Sequence, residues 1–104
     1  MIFPSVKAIQ QIVSEHFDLY PVEMVSRRRA RRYSRPRQIA MTLARDLTPC
    51  SYPEIAREFG KRDHTTIMHA VRAIEGLCER DAEFSAMVAE LRERAQRTVA
   101  ANAA

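Results

Sequence analysis

Glycine is nearly missing from this chain, and that scarcity constrains the fold more than any other feature. Gly60 and Gly76 are its 2 glycines in 104 residues. Neither GxxxxGK[ST] nor GxGxxG can be written, which excludes the familiar phosphate-cradling loops and ATP hydrolysis through them. Glycine turn dipeptides that close β-hairpins are absent, and no segment sustains an alternation of period two. Helical spacing remains. Val6, Ile9, Val13 and Phe17 share one face behind Pro4 and Ser5, and Ile39, Leu43 and Leu47 recur at intervals of four. The expectation is an all-α domain over 1–104, a compact bundle of five to six helices.

Local signals place the pieces. Tyr20-Pro21 ends the first helix, and Pro21 suits the first turn of a short second one, PVEMVS. The arginine-rich stretch 27–37 reads as a basic loop, with Pro36 opening the third helix and Thr48-Pro49 closing it. Ser51 followed by Glu54 is a capping box, so a helix carrying Ile55 and Phe59 starts there and stops at Gly60. Asp63 then caps a helix by accepting from the backbone near Thr66. Its inner face holds Ile67, Ala70, Val71 and Ile74, and it runs to about Leu77 or Cys78. A last helix, about 81–100, packs through Phe84, Val88, Leu91 and Ala95, and the TVAANAA tail is expected to fray. Met24, Met41, Met68 and Met87 suit core filling, and His69 suits packing near the core.

Charge adds a functional constraint. The net charge is +4, but residues 1–52 carry nine basic and four acidic side chains, whereas residues 53–104 carry eight and nine. The excess is one block, RRRARRYSRPR (27–37), with seven arginines and no acid. Such a block repels itself unless something anionic compensates it. Arginine's planar fork suits phosphate oxygens and base edges. A solvated loop, an acidic protein or a membrane surface would also tolerate the block, but neither a lipid anchor nor a strongly amphipathic basic helix accompanies it.

Two helices joined by a tight glycine turn, about 51–78, form a helix-turn-helix signature when the second helix presents polar residues from its N-terminus. Residues 62–66 read Arg-Asp-His-Thr-Thr before the first strongly apolar residue, Ile67. Arg62 has the donors to read guanine, Asp63 can accept from cytosine, and the methyls of Thr65 and Thr66 match a thymine methyl. His64 can donate, accept or pack.

Other classes fare worse. No stretch of about 18 apolar residues marks a membrane span, and no secretory leader is visible, so a cytoplasmic, nucleoid-associated protein is expected. Cys50 and Cys78 are too few for a disulfide framework or a four-ligand zinc site. His64 and His69 lie five apart, off the spacing of a zinc helix, and Asp63–His64 are chain neighbours, a poor orienting pair. His16 offers no better geometry. No catalytic group, metal or cofactor is expected. RNA readers expose stacking aromatics, for which Tyr33 and Tyr52 are the candidates. A protein-interaction module using the outer face of the last helix is the stronger rival.

The segments SRRRARRYSRPRQIAMTLARDLT (26–48) and SYPEIAREFGKRDHTTIMHAVRAIE (51–75) resemble the C-terminal DNA-binding domain of the bacterial replication initiator DnaA. The resemblance spans about residues 6–92, and PRQIAM and FG-x-RDHTT-x-xHA are its specific motifs. It implies a Trp-repressor-like helix-turn-helix that binds double-stranded DNA at the short, asymmetric, A·T-rich DnaA box as a monomer. By matching motif, Arg62, Asp63, His64, Thr65 and Thr66 would face the major groove. Arg29 would enter the adjacent minor groove, with Arg27 and Arg28 of the same block in backbone contact beside it. Arg37, Gln38 and Arg45 would touch the backbone, and Ser51, Tyr52 and Pro53 would lie near phosphate or a thymine methyl. Lys61 stands where many members have a second glycine, and would add a phosphate contact. Tyr52 replaces a smaller aliphatic residue. The initiator's nucleotide-binding motor is not among these residues. The chain is thus either part of an initiator or a freestanding domain that occupies boxes, interplays with full-length initiator or regulates transcription. A regulator or interaction module without origin function is the alternative.

Overall fold

A computed structural model describes residues 2–103, with side chains to Val99. The order is α1 (Val6–His16), a 3-10 turn (Pro21–Met24), α2 (Arg31–Leu47), α3 (Tyr52–Glu58), α4 (His64–Arg80) and α5 (Ala82–Ala103). No strand occurs among the described residues. None of the described helices is long and apolar enough to cross a membrane.

Helices α1, α3, α4 and α5 each begin at a side-chain cap. The Ser5 hydroxyl accepts from the Ala8 amide at 3.0 Å and caps α1. At α3 the capping box closes both ways: the Ser51 hydroxyl accepts from the Glu54 amide, and the Glu54 carboxylate accepts from the Ser51 amide at 2.9 Å. Asp63 caps α4, and the Asp81 carboxylate accepts from the Phe84 amide at the start of α5. Helix α1 ends before the Tyr20-Pro21 break, through Asp18 in a left-handed conformation (φ 58°).

The expected apolar faces meet in one core. Val6, Ile9, Val13, Ile39, Leu43, Ile55, Phe59, Ile67, Ile74, Val88, Leu91 and Ala95 are buried together. Met24 and Met41 lie in this core, and Met87 packs against it. Gln10, itself buried, donates to the Glu58 carbonyl at 2.9 Å and so fastens α1 to the end of α3.

Two boundaries differ from the sequence reading. The basic block is not all loop. Residues 31–37 form the opening turns of α2, and Pro36 sits inside that helix. Locally the expectation was sound, since α2 has no side-chain cap and opens on cations, which its dipole disfavours. Packing overrides it: Pro36, Arg37, Ile39 and Ala40 are all buried, and Tyr33 takes the Arg28 and Arg32 guanidiniums over its ring at 5.1 and 4.9 Å. At the other end α5 is helical to Ala103, beyond the expected end near residue 100, and Ala104 lies outside the described residues.

Candidate nucleic-acid interface

Helices α3 and α4 enclose a five-residue turn, Phe59–Asp63, whose backbone is demanding. Gly60 has φ +92°, and a Cβ placed on it would stand 2.8 Å from the Val25 carbonyl oxygen. Glycine is needed there both for the dihedral and for the close approach of the segment before α2. Lys61 is also left-handed (φ 59°), which costs a side-chain-bearing residue about 1–2 kcal/mol. Lys61 therefore takes a glycine-like conformation and presents an exposed cation.

Beyond the turn, the first residues of α4 split between anchoring and display. The Asp63 carboxylate accepts from the Thr65 amide and the Thr65 hydroxyl, both at 2.9 Å. These bonds hold its pKa below the usual carboxylate range. The partner is thus Thr65 rather than Thr66, whose amide bonds the Asp63 carbonyl instead. His64, Thr65 and Thr66 are exposed, and Ile67 behind them is buried. The helix end is not blocked by the chain itself.

The arginine block lies beside this turn. Arg27 donates to the Gly60 carbonyl at 3.0 Å, across 33 residues of sequence. Arg62 donates to the Phe59 carbonyl at 2.8 Å and to the Ser26 carbonyl. Arg37, only 5% exposed, donates to the Ser26 hydroxyl and the Arg28 carbonyl. Burial lowers the pKa of both Arg37 and Arg62, and each is further lowered by a neighbouring cation, Arg62 and Arg27 respectively. Among the described residues, no carboxylate forms an ion pair with any arginine of 27–37, with Lys61 or with Arg62. Arg29 is exposed. The result is a concentrated positive potential next to an open, polar helix end, an arrangement that favours polyanions.

The remaining expected contacts scatter. Gln38 lines a shallow groove of about 240 Å³ between α2 and α4, with Ser34, Arg37, Arg62, Thr66 and His69. His69 is exposed rather than packed, a correction to the sequence reading. It lies three residues past Thr66 on the same face of α4, a spacing that could have shown it. Arg45 stands apart: its guanidinium pairs with Asp46 at 2.6 Å and Glu75 at 3.1 Å. Burial opposes its charge, but these acceptors outweigh that and raise its pKa. Ser51 and Pro53 are exposed and Tyr52 is half-buried at the start of α3. Among the described residues no group of His, Cys, Asp and Glu could hold a metal ion, and Cys50 and Cys78 are free thiols.

Fold and site together define a DNA-binding helix-turn-helix domain with an arginine-rich flank. The model of the bacterial dnaA protein helix-turn-helix matches residues 6–74. The chain belongs to that family. It is 50% identical over 88 residues to the chromosomal replication initiator protein DnaA of Sphingopyxis alaskensis, covering 85% of this chain and 19% of that protein. With the DnaA of Agrobacterium fabrum the identity is 53% over 79 residues, 76% of this chain and 16% of the relative. A crystal structure of a DNA replication initiation factor superposes with a TM-score of 0.82 at 33% identity, covering 90% of this chain and 29% of that one. A replication initiator DnaA bound to AMPPCP and single-stranded DNA gives 0.74 at 33% identity, with the same two coverages. The chain spans about a fifth of the length of the curated relatives it matches. The matched family is the helix-turn-helix.

Proposed function

We propose that the chain binds double-stranded DNA as a monomer at a DnaA-box-like, A·T-rich site, in replication initiation or its control. One observation carries this reading: the exposed His64-Thr65-Thr66 follows directly on a turn to which an arginine arm without carboxylate partners is bonded. In the bound state the start of α4 enters the major groove. Thr65 and Thr66 offer methyls to thymine, His64 offers a ring nitrogen, and Asp63, already a cap, offers its second oxygen to a cytosine amino group. Arg29 enters the neighbouring minor groove, where A·T pairs narrow the groove and deepen its negative potential. Arg27, Arg28, Lys61 and Gln38 meet phosphates and set the register, as do Ser51, Tyr52 and Pro53 at the start of α3. His69 joins the major-groove face.

The test is selection of binding sites from random duplexes, followed by affinity measurement against the selected site, a scrambled duplex and the single strand over a salt series. The expected result is an A·T-rich consensus, preference for the duplex, and a slope of log K on log[salt] of about −5 to −7 from six to eight phosphate contacts. Equal affinity for the scrambled duplex would remove sequence reading, and preference for the single strand would remove the groove assignment.

A further inference from the structure

The segment between the 3-10 turn and α2 is short of backbone partners. Among the described residues, neither the Ser26 nor the Arg28 carbonyl accepts from a backbone amide. Both are taken by guanidiniums instead, the first by Arg62 and the second by Arg37. Arg37 also bonds the Ser26 hydroxyl at 3.3 Å and reaches the Glu23 carbonyl at 3.5 Å. One tie comes from the helix-turn-helix, 36 residues away in sequence, and the other from α2. Arg29 follows directly on the tied backbone.

We propose that Arg62 and Arg37 are positioning residues for the arm. They hold the Ser26–Arg28 backbone between α2 and the α3–α4 turn, so that Arg29 stands at a set distance from the exposed end of α4. The inference rests on the groove-reading proposal above, and it assigns Arg62 a different part from base reading. Of the Arg62 nitrogens, Nε and one terminal nitrogen are committed to the Phe59 and Ser26 carbonyls, so reading a guanine through that edge would mean releasing both. Releasing them leaves polar groups unpaired where the structure now satisfies them. Two grooves one helix-width apart are read together only if the reading elements keep a fixed spacing, and these two side chains supply the linkage.

A double-mutant cycle between Arg29→Ala and Arg62→Met tests this, read on three duplexes. In one of the arm's target steps an A·T pair is replaced by I·C, which keeps the amino-free minor groove, or by G·C, which adds the guanine amino group there. The unaltered chain is expected to bind the A·T and I·C duplexes alike and the G·C duplex about tenfold more weakly. Arg62→Met should lose that discrimination as Arg29→Ala does, and the double variant should bind about as well as Arg29→Ala alone. Fully additive losses, or a loss in Arg62→Met confined to one pair and insensitive to I·C against G·C, would overturn the proposal and make Arg62 a base reader. Should methionine unfold the chain, Arg62→Lys carries the same cycle, since it keeps stem and charge but lacks the forked donors that span two carbonyls. Heteronuclear NOE values for the amides of 27–29 provide a readout without DNA. They should fall in the Arg62 variant, and unchanged values would contradict the proposal even if the unaltered chain bound no duplex at all.

Discussion

The two ends of α4 carry the same residue type to opposite effect. At its N-terminal end Arg27, Arg37 and Arg62 gather with no carboxylate partner and bond backbone carbonyls instead. At its C-terminal end Arg45 and Arg92 share Asp46, and Arg45 also takes Glu75. A groove of about 490 Å³ there is lined by Asp46, Glu75, Glu79 and Arg92, of mixed charge. Paired surface cations are largely spent, worth about 0–1 kcal/mol each and screened by salt. Cations set against carbonyls keep their charge for an incoming anion. The number of arginines is therefore a weaker guide to a polyanion site than the presence of acids around them.

Glycine substitutions at the two ends should differ most. Gly60→Ala forces a Cβ to 2.8 Å from the Val25 carbonyl at a positive φ, and should destabilise the fold by about 2–4 kcal/mol in urea unfolding. Gly76→Ala meets only the flexible Arg80 side-chain end at 3.3 Å inside α4, and should stabilise by up to about 1 kcal/mol. Equal effects would mean that the turn is not under the constraint described.

Next in size is binding. Arg29→Ala should cost about 1–3 kcal/mol of duplex affinity and reduce the salt slope by about 1, whereas Arg92→Gln should leave the slope unchanged. A slope that fell equally in both would erase the distinction between unpaired and paired arginines. Lys61→Gly should relieve left-handed strain, for a net gain of at most about 1 kcal/mol in stability after the added freedom of the unfolded chain, while removing one phosphate contact.

Acid provides the smallest test. Asp63 and Glu54 have pKa values lowered first by backbone amides, those of Thr65 and Ser51. A carboxylate whose folded pKa is depressed adds stability above its unfolded value, about 4, and loses it as pH falls through the folded value. The melting temperature should therefore decline below about pH 4, and Asp63→Asn should flatten part of that decline. An unchanged acid profile in the variant would show that the α4 cap contributes nothing to it.

Much of this was legible in the chain. The capping box of Ser51 and Glu54, the turn at Gly60, the Asp63 cap and the apolar stripe of Ile67, Ala70, Val71 and Ile74 follow local rules that tertiary packing did not overturn. The block 27–37 misled because its local chemistry argues against a helix, while the buried Pro36, Arg37 and Ile39 downstream decide for one. The bonds of Arg37 and Arg62 were hidden for another reason. They join side chains to carbonyls 9 and 36 residues away, and no periodicity or spacing encodes such a pair. Arg45 fits the motif but pairs with an acid 30 residues on, which only the packing of α2 against α4 reveals.

The central claim is that the exposed start of α4 and the arginine arm meet duplex DNA together. An NMR titration of the labelled chain with the selected duplex tests it directly. The account predicts that the amides of residues 27–29 and 63–66 shift at the same DNA ratio while those of 85–95 stay in place. Shifts centred on α5, or on the arm with 63–66 unmoved, would contradict it.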